Sequence, residues 1–239
     1  MKVLLALLVS GKLGKVLLTG GSMIVSIFAY AWILGWKFAV GFVLLLFIHE
    51  MGHYIAARQR GLDVGAPTFI PFVGAWIELK EQPHDAETEA YVGFAGPFAG
   101  TLGALACYFV ARQTDSTLLL AVANAGFFLN LFNLIPLSPF DGGRITAVIS
   151  PRVWFLGVPV LILLFLYRPS PLLILMAFLA APQLIKAWNY DPDAPENKAY
   201  YSINLEQRLT YGLFYIGLAA FLAIMSHELH QALQHIRFS

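Results

Sequence analysis

The apolar residues of this 239-residue chain are gathered into long runs. A helix needs about 20 mostly apolar residues to cross roughly 30 Å of hydrocarbon. Seven runs approach that length, and only Arg168-Pro169-Ser170-Pro171 separates the fifth from the sixth. The runs lie at residues 17–35, 38–57, 91–111, 117–136, 153–167, 170–187 and 209–226. The pattern predicts an all-α bundle of six or seven transmembrane helices.

Two stretches between the runs do not fit this simple scheme. Residues 61–90 contain three glycines and three prolines, a density that excludes a continuous helix. The apolar middle of this stretch, from Phe69 to Leu79, fits a loop with a short hairpin. It fits equally an extended segment that dips into the membrane under cover of other protein. Residues 189–206 are polar and predict a solvent-exposed loop.

The composition supports an integral membrane protein in contact with the lipid bilayer. Hydrophobic residues make up 59% of the chain and charged residues only 12%, whereas soluble domains carry about 25% charged residues. Much of the surface therefore does not face water. The net charge of +1 is too small to suggest nucleic acid as a partner.

The basic residues indicate an orientation in the membrane. If seven spans alternate between the two sides, eleven of the 15 Lys and Arg residues fall on the side of the N-terminus. Cytoplasmic loops carry such an excess, so we expect the N-terminus to face the cytoplasm. Residues 1–15 are expected to remain as a segment lying on the membrane surface.

A metal-binding motif lies inside the second apolar run. His49-Glu50-Met51-Gly52-His53 has the spacing H-E-x-x-H, which places two imidazoles on one face of a helix, about 6 Å apart along its axis. Both can bind one zinc ion, and Glu50 can take a proton from the attacking water. Solvated histidines near a helix end are the alternative. Counted from Arg58, His49 lies roughly 13 Å inside the cytoplasmic end of the span.

A catalytic zinc needs a third protein ligand, and Asp141 is the best candidate. Pro136 and Pro139 end the fourth run, and Gly142-Gly143 permits a backbone turn that brings the carboxylate inward. With seven alternating spans, this segment lies at the same side of the membrane as the histidines. The alternative is that Asp141 caps the helix that follows.

The two motifs together resemble those of the site-2 protease family, zinc proteases that cut membrane proteins within or beside their transmembrane helices. The resemblance lies in Phe47 to Ala57 and in Phe132 to Arg144, where N-x-x-P precedes D-G-G. Gly96-Pro97-Phe98-Ala99-Gly100 also resembles a family feature, and its small residues would let helices pack closely. Over roughly residues 17–145 the order and separation of the motifs fit the family.

The resemblance implies roles for particular residues. His49, His53 and Asp141 would be the ligands of one Zn²⁺ per chain, and Glu50 the catalytic general base. Asn133 would bind the substrate backbone or the developing oxyanion, although an interhelical hydrogen bond is the alternative. The stretch Phe69–Leu79 would supply an edge strand near the active site, to which an unwound substrate pairs. Asn130 and Asn124 are expected only to bond between helices.

These observations predict an intramembrane zinc metalloprotease that hydrolyses peptide bonds of membrane-spanning substrates. Its active-site end would face the cytoplasm, and a prokaryotic cell membrane is the expected location. Residues 1–145 would form the catalytic membrane core, and residues 146–239 would add helices to the same membrane domain. The alternative is a non-catalytic membrane scaffold or metal carrier with a protease-like site.

Overall fold

The computed structural model describes residues 12–77 and 81–238, and these form a bundle of helices with one β-hairpin. The expected surface segment therefore lies outside the described residues over 1–11, as do Glu78 and Leu79 at the end of the apolar stretch. The helices are α1 Lys12–Leu34, α2 Trp36–Gln59, α3 Ala86–Thr114, α4 Thr117–Asn133, α5 Asp141–Thr146, α6 Gly157–Tyr167, α7 Pro171–Trp188, α8 Pro195–Tyr200 and α9 Leu205–Phe238. A 3₁₀-helix, Pro151–Leu156, precedes α6.

Each of the seven predicted apolar runs contains a helix. Among the described residues, five helices are long and apolar enough to cross a membrane, namely Val16–Leu34, Trp36–Gln59, Ala86–Thr114, Pro171–Trp188 and Leu205–Ile236. The fourth and fifth runs form the shorter apolar helices Thr117–Asn133 and Pro151–Tyr167. These helices fit an integral membrane protein.

Helices α2, α3 and α4 pack against one another at the centre of the bundle. Gly52 of α2 meets α3 so closely that an added Cβ would lie 2.3 Å from the carbonyl oxygen of Ala95. Leu222 and Leu229 of α9 join the same buried cluster as Ala104 and Phe127. The close approach of α2 to α3 matters because it brings the H-E-x-x-H face against α3.

The stretch after α2 contains an antiparallel hairpin, which is the first of its two predicted forms. Strand β1, Thr68–Ile70, pairs with β2, Gly74–Trp76, in the register Phe69↔Ala75. Phe72 in the turn has a φ of 63°, and Phe69 is buried beside Val43 and Leu46 of α2. The hairpin also packs against α1.

Polar side chains tie the elements together at the end of the bundle where α2 finishes and α3 begins. Arg60 pairs with Glu87 at 2.8 Å, and the hydroxyl of Tyr211 donates to the same carboxylate at 2.5 Å. Tyr200 donates to Glu89 at 2.7 Å. Tyr200 ends α8, so residues 189–206 are not wholly the loop that their polarity predicts. Burial and the neighbouring Glu89 carboxylate raise the pKa of Tyr200, which keeps its hydroxyl a donor.

Candidate metal centre

The three predicted ligands come together in the middle of the fold. Nε2 of His49 lies 3.1 Å from Nε2 of His53, one helical turn along α2. The carboxylate of Asp141, the first residue of α5, lies 3.2 Å from each of these nitrogens. All three residues are buried. Among the described residues they form a group that could hold one metal ion.

The far side of each imidazole is held by a hydrogen-bond acceptor. Nδ1 of His49 lies 2.8 Å from Oδ1 of Asn130, and Nδ1 of His53 lies 2.7 Å from the carbonyl oxygen of Val92. A neutral imidazole has one ring proton, and here Nδ1 must donate it. Both Nε2 atoms then carry lone pairs that face each other and a carboxylate. Three converging electron donors in a buried place form a site for a cation.

The spacing and chemistry of the donors fit zinc. Zinc binds imidazole nitrogen at about 2.0–2.1 Å and carboxylate oxygen at about 2.0–2.2 Å, so tetrahedral ligands lie roughly 3.3 Å apart. The three donor separations are 3.1, 3.2 and 3.2 Å. Three protein ligands also leave the fourth position open, as catalytic zinc sites require.

Two glycines of α3 leave the space that these side chains occupy. A Cβ at Gly96 would lie 2.1 Å from Nε2 of His53, and one at Gly100 would lie 2.3 Å from Oδ1 of Asn130. The predicted close packing of this segment is present. In addition, the two missing side chains make room for His53, a predicted ligand, and for Asn130, which contacts the predicted ligand His49.

Asp141 reaches the histidines because the backbone around it is tightly packed. Phe140, not Asp141, caps α5, so the capping alternative is wrong. Gly142 and Gly143 are helical, and neither has a positive φ. The two glycines are needed for close packing instead of for a turn. A Cβ at either position would lie 2.3 Å from the backbone of residues 134–138. Trp154 holds this turn by donating to the carbonyl of Gly143 at 2.8 Å.

The other predicted site residues lie near this group without belonging to it. Glu50 follows His49 in the sequence, and its side chain is buried. Its carboxylate makes no hydrogen bond with the described residues. Asn133 ends α4 with a half-buried side chain. Asn130 makes the expected interhelical hydrogen bond, but its partner is a predicted ligand. The sequence carries no signal for this contact, because the two residues are 81 positions apart and meet only when α4 packs against α2.

The comparisons with known proteins agree with the motifs. Residues 37–116 match the model of Peptidase family M50, to which the site-2 proteases belong. This range contains His49, Glu50 and His53 and ends before Asp141. The predicted resemblance to the site-2 protease family is therefore confirmed for this part of the chain.

Curated proteins are similar to this chain over about half of its length. The chain is 30% identical over 127 residues to the zinc metalloprotease MJ0392 of Methanocaldococcus jannaschii, covering 49% of this chain and 37% of the relative. It is 32% identical over 122 residues to Rip3 of Mycobacterium tuberculosis, which is named as a zinc metalloprotease, covering 48% and 31%. A solved site-2 protease from M. jannaschii superposes with a TM-score of 0.46 at 20% identity, covering 76% of this chain and 87% of that chain. The chain thus spans about a third of the length of the curated relatives that it matches.

Proposed function

We propose that the chain is an intramembrane zinc metalloprotease that hydrolyses peptide bonds of membrane-spanning proteins. The observation that carries this proposal is the meeting of His49, His53 and Asp141 around a buried point, with Glu50 on the same helix. That helix is apolar and long enough to cross a membrane. Buried ionisable groups in such helices are costly and mark functional sites.

The residues present fit one Zn²⁺ held by His49, His53 and Asp141. When bound, zinc lowers the pKa of water and polarises a substrate carbonyl. The hydrogen bond to the carbonyl of Val92 keeps Nε2 of His53 directed at the metal. Asp141 supplies the negative charge that two neutral imidazoles lack.

Glu50 is the proposed catalytic general base. Its carboxylate accepts a proton from the attacking water while the water oxygen bonds to the carbonyl carbon of the substrate. When the carbon–nitrogen bond breaks, Glu50 returns that proton to the leaving amine. The absence of a hydrogen bond between this carboxylate and the other described residues supports the role, because no protein group has to be displaced first.

Asn133 is the proposed substrate-binding residue. It lies at the end of α4, one turn after Asn130, and its side chain makes no hydrogen bond with the described residues. A half-buried amide without a partner can donate to a substrate carbonyl or to the oxyanion that develops from it.

The hairpin is the proposed place where an unwound substrate pairs. The outward amide of β1 is already used, because Phe69 N–H donates to the hydroxyl of Ser22 at 3.1 Å. In an antiparallel pair, opposed residues either hydrogen-bond to each other or both point their backbone groups away, and the outward amide of Phe69 makes its pair the second kind. Ala75, opposite Phe69, therefore points to the outer edge of β2. We assign the substrate to the β2 edge, where added main-chain hydrogen bonds can form.

We also propose that the active-site end faces the cytoplasm of a prokaryotic cell. The excess of Lys and Arg at the N-terminal side supports this orientation. The prokaryotic source of MJ0392 and Rip3 supports the location. The helices that could span a membrane imply contact with the lipid bilayer and substrates within it.

Zinc content per chain tests the ligand set without a known substrate. We expect one zinc in the detergent-purified native protein and in Glu50→Gln, and none in His53→Ala or Asp141→Ala. A native protein without zinc, or an Asp141→Ala variant that keeps it, would show that the assigned site is wrong.

Hydrolysis then separates the protease from the alternative function. A pool of single-span membrane proteins in detergent is incubated with the native chain, with Glu50→Gln as the blank. Cleavage by the native chain alone supports the protease. Bound zinc with no cleavage in either sample favours a non-catalytic scaffold or metal carrier.

A further inference from the structure

A buried amide on α4 contacts one predicted ligand and has no part in the proposed reaction. Asn130 is 1% exposed, and its Oδ1 lies 2.8 Å from Nδ1 of His49. Its Nδ2 donates to the carbonyl of Gly126, one turn earlier, at 2.7 Å. Both ends of this amide are therefore engaged, one within α4 and one across to α2.

The bond within α4 sets which end of the amide faces His49. If the amide were reversed, its oxygen would lie against the carbonyl oxygen of Gly126, and two acceptors cannot form a hydrogen bond. Oδ1 therefore faces His49, and the imidazole must donate from Nδ1. Nε2 is left with a lone pair, and this atom lies 3.2 Å from Asp141.

The neighbouring helix is shaped around this amide. A Cβ at Gly100 of α3 would lie 2.3 Å from Oδ1 and 2.7 Å from Nδ2 of Asn130. The site of the amide is thus formed by three helices: α4 carries it, α2 provides its partner and α3 gives it space. His53 has an equivalent support in the carbonyl of Val92, which no side-chain substitution can remove.

We propose that Asn130 is a positioning residue for the metal, which holds His49 in the one tautomer and orientation that present Nε2 as a ligand. This inference rests on the proposed zinc site. Partners of metal-binding histidines typically account for about 10- to 100-fold in metal affinity. Loss of the acceptor should therefore weaken zinc binding without removing any ligand.

The test measures the zinc dissociation constant of the zinc-stripped full chain in detergent, by competition with a chelator. Asn130→Leu has similar volume and no acceptor, and we expect its Kd to rise about 10- to 100-fold. Asn130→Asp keeps an acceptor, and we expect it to recover most of the affinity.

Asn124→Leu is the matched control on the same helix, because the buried Oδ1 of Asn124 has no partner among the described residues. Its Kd should equal that of the native chain.

Gly100→Ala provides a second route in case Asn130→Leu does not fold. The added methyl displaces the amide without removing it, so the zinc Kd should rise as well. The inference is overturned if the zinc Kd of Asn130→Leu or Gly100→Ala stays within about twofold of the Asn124→Leu value. That result would leave the proposed protease intact. If the native chain binds no zinc, the proposed function itself fails.

Discussion

The space for His53, a proposed metal ligand, is made by the absence of a side chain on the neighbouring helix. His53 projects from α2 toward α3, and a Cβ at Gly96 would lie 2.1 Å from its Nε2. Heavy atoms that are not bonded to each other do not approach so closely in real structures. Gly96 therefore acts through volume, although it carries no chemical group. The ring of His53 cannot turn away to make room for such a Cβ without losing its hydrogen bond to the carbonyl of Val92.

Gly96→Ala should for this reason abolish zinc binding while leaving the fold in place. The methyl would push the imidazole of His53 away from His49 and Asp141. We expect zinc per chain to fall from one to near zero, measured by elemental analysis after detergent purification. Gly217→Ala is the control, because nothing lies within 4 Å of its added Cβ. One zinc per chain in Gly96→Ala would mean that His53 is not a ligand.

At this scale the sequence predicts what depends on spacing within one helix. His49 and His53 share a face because they are four residues apart, and Asp141 follows a segment ended by prolines. The role of Asn130 could not be predicted, because its partner is 81 residues away and depends on how α4 crosses α2. The sequence predicts that Gly142 and Gly143 turn the chain, whereas their close contact with the backbone of residues 134–138 accounts for the lack of side chains.

Among the elements, the hairpin depends on α1 for its attachment. Three hydroxyls of α1 replace the neighbouring strand that β1 lacks: Thr19 donates to the carbonyl of Pro67 at 2.7 Å, Ser22 accepts from Phe69 at 3.1 Å, and Tyr30 accepts from the amide of Phe72 at 3.1 Å. The density of glycine and proline predicts a break in the helix. Which edge remains free depends on these contacts, so it could not be predicted from the sequence.

Tyr30→Phe should loosen the tip of the hairpin. The amide of Phe72 loses its acceptor, a change that costs about 0.5–1.5 kcal/mol for an ordinary hydrogen bond. Hydrogen exchange of the peptide that contains Phe72 should become about 2- to 10-fold faster by mass spectrometry. Tyr108→Phe is the control, because the hydroxyl of Tyr108 makes no hydrogen bond with the described part of the chain. Equal exchange in both variants would show that α1 does not hold the turn.

Across the whole molecule, the alternation of seven spans would place eleven of the 15 Lys and Arg residues at one end of the bundle, and this excess predicts an orientation. Gln113 is exposed at the end of α3 away from the site, and Asp193 is exposed in the loop before α8 at the site end. With Cys107 replaced by Ala, Gln113→Cys in intact prokaryotic cells should react with an impermeant thiol reagent. Asp193→Cys should react only after lysis, because the basic side is expected to be cytoplasmic. The opposite pattern would reverse the proposed orientation.

Binding of the metal should also stabilise the whole bundle, because the proposed ligands come from α2 and from α5, which are distant in sequence. At free zinc 100 times above the Kd, linkage gives about 2.7 kcal/mol, or roughly 5–10 °C in Tm for a chain of this size. We expect chelation to lower the Tm of the native chain and of Glu50→Gln by that amount, and added zinc to restore it. Asp141→Ala should show no such shift. This variant separates zinc binding at the proposed centre from zinc binding at the exposed histidines of α9. A Tm that still depends on zinc in Asp141→Ala would mean that the stabilising metal binds elsewhere.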